Sequence, residues 1–197
     1  ILMGLLSILT LGAIFLTFSR SALIMLVTSS SMLFIIANKK IWLAILLGIA
    51  LLVIIIPSKY TNIESVNFFR TFSSEARIIT AIKALEIIRE HPIFGVGFNA
   101  YRYAKLDPDL RNDKLRPISH ADAGVDNSFL FVIATTGIVG FIVYLFLWFR
   151  IFKIVSILAI VSIVGVFVDS MFINSLFYSF IMFWLWIILA LSIKNHN

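Results

Sequence analysis

SFLFVIATTGIVGFIVYLFLWF, residues 128 to 149, runs for 22 residues without a charged side chain. A helix rises about 1.5 Å per residue, so this stretch covers the hydrocarbon thickness of a bilayer, about 30 Å. Backbone polar groups find no water at that depth, and a segment that crosses it alone is therefore helical. Five further apolar stretches occur, at about 1 to 18, 21 to 37, 41 to 56, 151 to 168 and 175 to 193. Six transmembrane helices are the expectation, with the third, at 16 residues, leaning on its interfacial flanks. The whole composition agrees: of 197 residues, 61% are hydrophobic and 13% charged, with a mean hydropathy of +1.06. A soluble domain is about half apolar and a quarter charged. The fold class is an all-α integral membrane protein, with the lipid bilayer as its first partner.

The charges give a topology. Lys39 and Lys40 follow the second stretch, Arg150 and Lys153 follow the fourth, and Lys194 follows the sixth. Short basic connections stay on the cytoplasmic side. That places residues 57 to 127 outside, as a loop between spans three and four, with residues 1 to 56 and 128 to 197 as two three-helix groups. Arg20, between spans one and two, and the turn holding Asp169 are outside too. Eleven of the 16 basic residues, Arg20 and ten in the loop, lie outside with all 10 acids. So balanced a set on a membrane base gives no nucleic-acid patch. Trp42 and Trp148 sit where interfacial anchors belong, while Trp184 and Trp186, at mid-span, are expected to pack. There is no cysteine, which removes disulfides, thiolate metal sites and cysteine nucleophiles. Three scattered histidines offer no zinc spacing. The chain opens on Ile1 and enters an apolar run at once, so an upstream part is expected to be missing.

Seventy-one residues are too many for a plain connector. Within them Ser74 and Glu75 read as an N-cap and a dipole-matched first residue. His91-Pro92 reads as a stop, because the residue before proline avoids the helical region. An amphipathic helix over about 75 to 90 follows. On it Lys83, Glu86 and Glu90 lie about 180° to 240° around from Arg77, at roughly 100° per residue. Arg77 instead shares its face with Ala81, Ala84 and Ile88. An arginine there either snorkels to the headgroups or faces an anion in a protected site.

Next comes HPIFGVGFNAY, residues 91 to 101. Gly95 and Gly97 let the backbone approach a partner or a ligand closely, and Phe94, Phe98 and Tyr101 suit headgroup depth or a glycan face. No third glycine and no preceding strand support a dinucleotide fingerprint. Residues 102 to 124 are polar and read as a flap. The loop closes on Asp126-Asn127-Ser128, and Asp126, taken alone, is first a helix cap. Gly137 and Gly140 in the fourth span are expected to serve tight helix packing.

In order and spacing, SRSAL at 19 to 23, Arg77 with the helix that ends in HPIFGVGFNAY, and DNSFLFVIATTGIVGF at 126 to 141 resemble the O-antigen ligase and polymerase superfamily. The resemblance covers about residues 10 to 193. Members are usually about twice as long, so it implies a C-terminal half that needs its N-terminal half as partner for activity. It also implies a multi-pass protein of the bacterial cytoplasmic membrane whose outer loop transfers or polymerises undecaprenyl-diphosphate-linked glycan, in the making of surface polysaccharide, lipopolysaccharide or capsule. The donor would be that lipid-linked oligosaccharide, and the acceptor a growing glycan or, in a ligase, lipid A-core. Arg77 matches a loop arginine that holds the diphosphate, and Arg20 matches the arginine of the earlier short motif. The family's histidine before Asn-Ser is Asp126 here, a departure that points to the polymerase branch.

Arginine is permanently charged and grips phosphate oxygens bidentately. Arg77 and Arg20 thus suit a metal-independent, cofactor-free inverting transfer. Asp126 is then the general base, with His120, six residues upstream, as the substitute, and Gly95, Gly97 and Asn127 line the substrate. Two other classes compete: a transporter or channel, and a non-catalytic assembly subunit. A transporter predicts charged or broken helices near the midplane, and the acid nearest the spans, Asp169, stands at an outer end.

Overall fold

The computed structural model describes residues 2 to 17, 19 to 42, 45, 72 to 105 and 124 to 193. Its helices are α1 (Leu2–Leu16), α2 (Arg20–Ile36), α3 (Phe72–Glu90), α4 (Tyr101–Ala104), α5 (Ser128–Ile154), α6 (Ile157–Ser170) and α7 (Ser179–Ser192), with a 3-10 turn at Ser175–Phe177. Among the described residues no strand forms; the sole extended pairing is a single bridge between Val155 and Ile193. The third predicted span lies outside the described residues except for Ile41, Trp42 and Ile45, and His120 lies outside them as well. Among the described residues α5 alone is long and apolar enough to cross a membrane; α2, α6 and α7 are shorter apolar helices.

Two compact units form. The first holds Ile1–Ser73 together with Val161–Asp169. In it α2 begins on Ser19, whose Oγ accepts from Ala22 N at 3.4 Å. It ends in a left-handed turn at Asn38 (φ 55°), where Lys39 N donates to Phe34 O at 2.8 Å and Asn38 N to Ile35 O at 3.1 Å. That pair closes the last carbonyls. Gly165 of α6 lies directly against the Ser29 side chain of α2, with Met25 beside it.

The second unit holds Ser74–Ile160 and Ser170–Asn197. Its core is Ala84 and Ile87 of α3, Tyr101 of α4, Val125, and Phe131 and Ala134 of α5, with Ile88, Val96, Leu130 and Phe177 around them. Phe131 is its centre, with ring contacts to Phe98, Tyr101 and Phe177 at centroid distances of 5.0, 5.3 and 5.1 Å. Tyr101 therefore packs inward, Phe98 touches the core by one edge while 55% exposed, and Phe94 stays 76% exposed. Away from this core the helices are apolar and uncovered: Phe180 is 88% exposed and Phe183 71%. Large apolar surface of this kind calls for a nonaqueous surrounding.

Several expectations shift by a turn. α3 starts at Phe72, so Ser74 and Glu75 lie inside it rather than at its cap. α5 runs on to Ile154, and the turn falls at Val155-Ser156 instead of at 150. The reason is the long stems of the basic residues, which let the charge ride the last helical turn. Lys153 Nζ stands 4.3 Å from the Phe149 ring centroid and Arg150 Cζ 5.9 Å from that of Phe146. α6 and α7 have 14 residues each, shorter than the stretches read from the sequence. For three of the four tryptophans the expected burial reverses: Trp148 is buried at 5% exposure, between Tyr144 and Phe152, and Trp184 and Trp186 are exposed, while Trp42 is exposed as an anchor would be.

Candidate functional site

The site grows from a break in α5. At Gly137 the backbone takes φ 65°, ψ −172°, which divides the helix into an outer arm, 128 to 136, and a longer arm, 138 to 154. A broken helix leaves carbonyls open before the break and N–H groups open after it. Here the HPIFGVGF segment supplies both sets of partners. Val96 N donates to Ala134 O at 3.0 Å and Gly97 N to Thr135 O at 2.8 Å. In return Ile138 N donates to Pro92 O at 2.9 Å and Val139 N to Ile93 O at 3.3 Å. Pro92, which has no N–H to give, contributes an acceptor.

Only glycine permits this approach. Gly95 has φ +65°, and a Cβ on it would collide with the Thr135 carbonyl and Gly137 N. A Cβ on Gly137 would meet Ile93 O and Phe94 N. The close partner of Gly95 is thus the α5 backbone, and its own N–H turns back to His91 O at 3.2 Å. Gly97 also has positive φ (+89°), but with open space around it.

At the other end of the outer arm, Asn127 is the N-cap. Its Oδ1 accepts from Phe129 N and Leu130 N, both at 3.0 Å, and its Nδ2 donates to Met171 O at 3.0 Å. Three of the four hydrogen-bonding positions of the amide are filled. Leu176 N donates to Ser128 Oγ at 3.2 Å, and Asn174 lies against Gly124. The turn at 171 to 176 thus runs along residues 124 to 128. The cap falls on Asn127 rather than Asp126, which is exposed, and whose carboxylate makes no hydrogen bond or ion pair among the described residues.

Arg77 lies on the packed face of α3. Thr80, Ala81 and Ile88 there are half-buried and Ala84 and Ile87 buried, while Glu75, Lys83, Glu86, Arg89 and Glu90 are exposed. Arg77 is itself half-buried, and its guanidinium has no acidic partner among the described residues. Asp126, Asn127, Arg77, Gly95 and Gly97 all belong to the second unit. Arg20 belongs to the first, half-buried at the first position of α2.

The sequence reading missed the break and the 171 to 176 turn. Its signal for the break was a glycine directly after Thr135-Thr136 in an otherwise β-branched and aromatic span, matched by a second glycine in the preceding loop. The turn's signal was Asn174, an amide in an apolar setting.

A family model described as O-antigen ligase matches residues 5 to 145. No curated protein and no solved structure matches the chain at the same stringency. The match takes in both arginines, the clasped glycines and the Asp126-Asn127 helix start, and it makes the chain a member of the O-antigen ligase family of membrane proteins.

Proposed function

We propose that this protein is a membrane glycosyltransferase which polymerises or transfers undecaprenyl-diphosphate-linked glycan at the outer face of the bacterial cytoplasmic membrane. The observation that carries the reading is Arg77: a half-buried guanidinium on the packed side of α3, without an acid to neutralise it among the described residues. Holding an unpaired cation at a partly dry site is costly unless an anion arrives. The diphosphate of a lipid-linked donor is such an anion. Arg20, at the first position of α2, is given the same role on its match to the arginine of the family's short motif.

In the reaction, an acceptor hydroxyl oxygen attacks the anomeric carbon of the donor sugar. The bond from that carbon to the diphosphate oxygen breaks and its electron pair leaves with the diphosphate. The hydroxyl proton passes to the Asp126 carboxylate, or to His120. Attack opposite the leaving group inverts the anomeric centre. Arg77 and Arg20 stabilise the charge that grows on the leaving oxygens, so the step needs no metal. Asn127 fixes the chain beside Asp126, and the room at Gly97, where a Cβ would meet nothing nearer than Ala100 Cβ at 3.9 Å, supports an approach of substrate to the backbone there.

Arg77→Ala in the full-length protein is expected to lower glycan transfer at least a hundredfold while membrane insertion stays normal. Undiminished polymer on a glycan gel would overturn the reading. Between acceptors, Asp126 in the place of a histidine favours the polymerase, with a glycan end as acceptor; lipid A-core, as in a ligase, is the second reading. A deletion strain separates them. Single repeat units on the final acceptor mark a lost polymerase, and full-length polymer stranded on its carrier marks a lost ligase.

A further inference from the structure

We propose that Gly95 and Gly137 are positioning residues which keep the 92 to 97 segment fastened to α5 throughout turnover, so that the loop acts as a fixed frame and not as a lid. The inference rests on the glycan-transfer reading for its chemistry, but its geometry stands independently.

The fastening is reciprocal. Four backbone hydrogen bonds cross it, two in each direction, at 2.8 to 3.3 Å. A Cβ on Gly95 would run into the Thr135 carbonyl and Gly137 N, and one on Gly137 into the Ile93 carbonyl and Phe94 N. Lifting the segment would therefore leave four donors and four acceptors open at once. The break lies ten residues into α5, about 15 Å along its axis at 1.5 Å per residue, where a bilayer offers no water to replace them. The same outer arm is held at its start by Asn127 on Met171 and by Ser128 on Leu176. Between the two ties Phe131 is enclosed by Phe98, Tyr101 and Phe177.

The consequence is a set spacing. α3, which carries Arg77, leads directly into the clasped segment, and the outer arm begins beside Asp126. With both arms locked to one break, the group that binds the diphosphate and the group that activates the acceptor keep their separation while only substrate moves. Proximity of that kind contributes to rate and not to affinity.

The chain has no cysteine, so an added pair reports alone. Val96 N donates to Ala134 O at 3.0 Å, which makes these two residues the pair to replace. In full-length protein carrying Val96→Cys and Ala134→Cys as its only cysteines, oxidation is expected to form the cross-link and leave the transfer rate within about twofold of the reduced form. Loss of transfer on oxidation, restored by reductant, would show that the clasp must open and would sink the frame. Gly137→Ala is expected to lower kcat at least tenfold with the donor KM within threefold. A raised KM at unchanged kcat would also count against the frame.

Amide exchange on the unsubstituted protein is the readout independent of activity. The N–H groups of Val96, Gly97, Ile138 and Val139 are expected to exchange slowly and equally with and without lipid-linked oligosaccharide. Protection lost on its addition would overturn the proposal. Should the unsubstituted protein transfer no glycan, the enzymatic reading falls, and the frame is judged on this exchange alone.

Discussion

Tyr101 shows how one atom can be out of balance in a well-packed place. Its side chain is fully buried against Phe131, yet its hydroxyl has no hydrogen-bond partner among the described residues. A buried unsatisfied group costs about 1 to 3 kcal/mol, so Tyr101→Phe is expected to fold at least as stably as the parent. Burial also pushes the phenol up to about 12 from its usual 10. The neutral form is the one the fold prefers, and the linkage follows from that sign. Below pH 10 both folded and unfolded chains hold the proton and the contribution is fully present. Above pH 10 the unfolded chain releases it first, so stability falls as pH rises to about 12. Thermal unfolding in detergent across pH 9 to 12 should show this loss in the parent and a shallower one in Tyr101→Phe. An equal decline in both proteins would contradict it.

At the scale of elements, the clasp gives two neighbouring glycines unequal weight. Both have positive φ, which costs another residue about 1 to 2 kcal/mol. Gly97→Ala incurs that term only, since its Cβ would find nothing nearer than Ala100 Cβ at 3.9 Å. Gly95→Ala drives a methyl group into the Thr135 carbonyl, adding overpacking of about 1 to 3 kcal/mol. Folded yield in membranes should therefore fall sharply for Gly95→Ala and mildly for Gly97→Ala; the reverse order would contradict the geometry. Among the described helices, α1, α2, α3, α5, α6 and α7 were legible in sequence, because each follows from an apolar run or from a stop such as His91-Pro92, while the short α4 lies at the start of the stretch read as a flap. The face of Arg77 on α3 was legible too, through its spacing from Ala81, Ala84 and Ile88. The break was not, because a glycine inside an apolar run reads equally as a packing site or a kink. What decides is whether a distant segment brings N–H and C=O groups to it, and only the folded chain shows that. For the same reason the cap was placed on Asp126: carboxylate and amide cap equally well, and the choice of Asn127 depends on Met171 O, which lies 44 residues away.

For the molecule as a whole, the chemistry depends on which side of the membrane each charge occupies. The basic residues at the end of α5 lie over aromatic rings, Lys153 on Phe149 and Arg150 on Phe146, an arrangement suited to a helix end at the headgroups. If that end is cytoplasmic, the Asp126 end of α5, at the start of the 27-residue element and on the far side of its break at Gly137, faces outward. Carried on α3 and clasped to the same helix, Arg77 goes with it, to the face at which the proposed lipid-linked donor would be presented. Lys40, at the end of α2, belongs to the other unit and tests the orientation separately. Single cysteines at exposed Glu86, Lys40 and Lys153, each added to the cysteine-free chain, make this measurable with a membrane-impermeant maleimide. Glu86→Cys should label in intact cells, and Lys40→Cys and Lys153→Cys only after permeabilisation. Labelling of Lys153→Cys in intact cells would turn Arg77 and Asp126 toward the cytoplasm, where nucleotide-sugar donors are found, and the lipid-linked donor would have to be given up. Labelling of Lys40→Cys alone would leave the Asp126 and Arg77 assignments in place and remove Arg20, because the end of α2 that carries it would then face the other way.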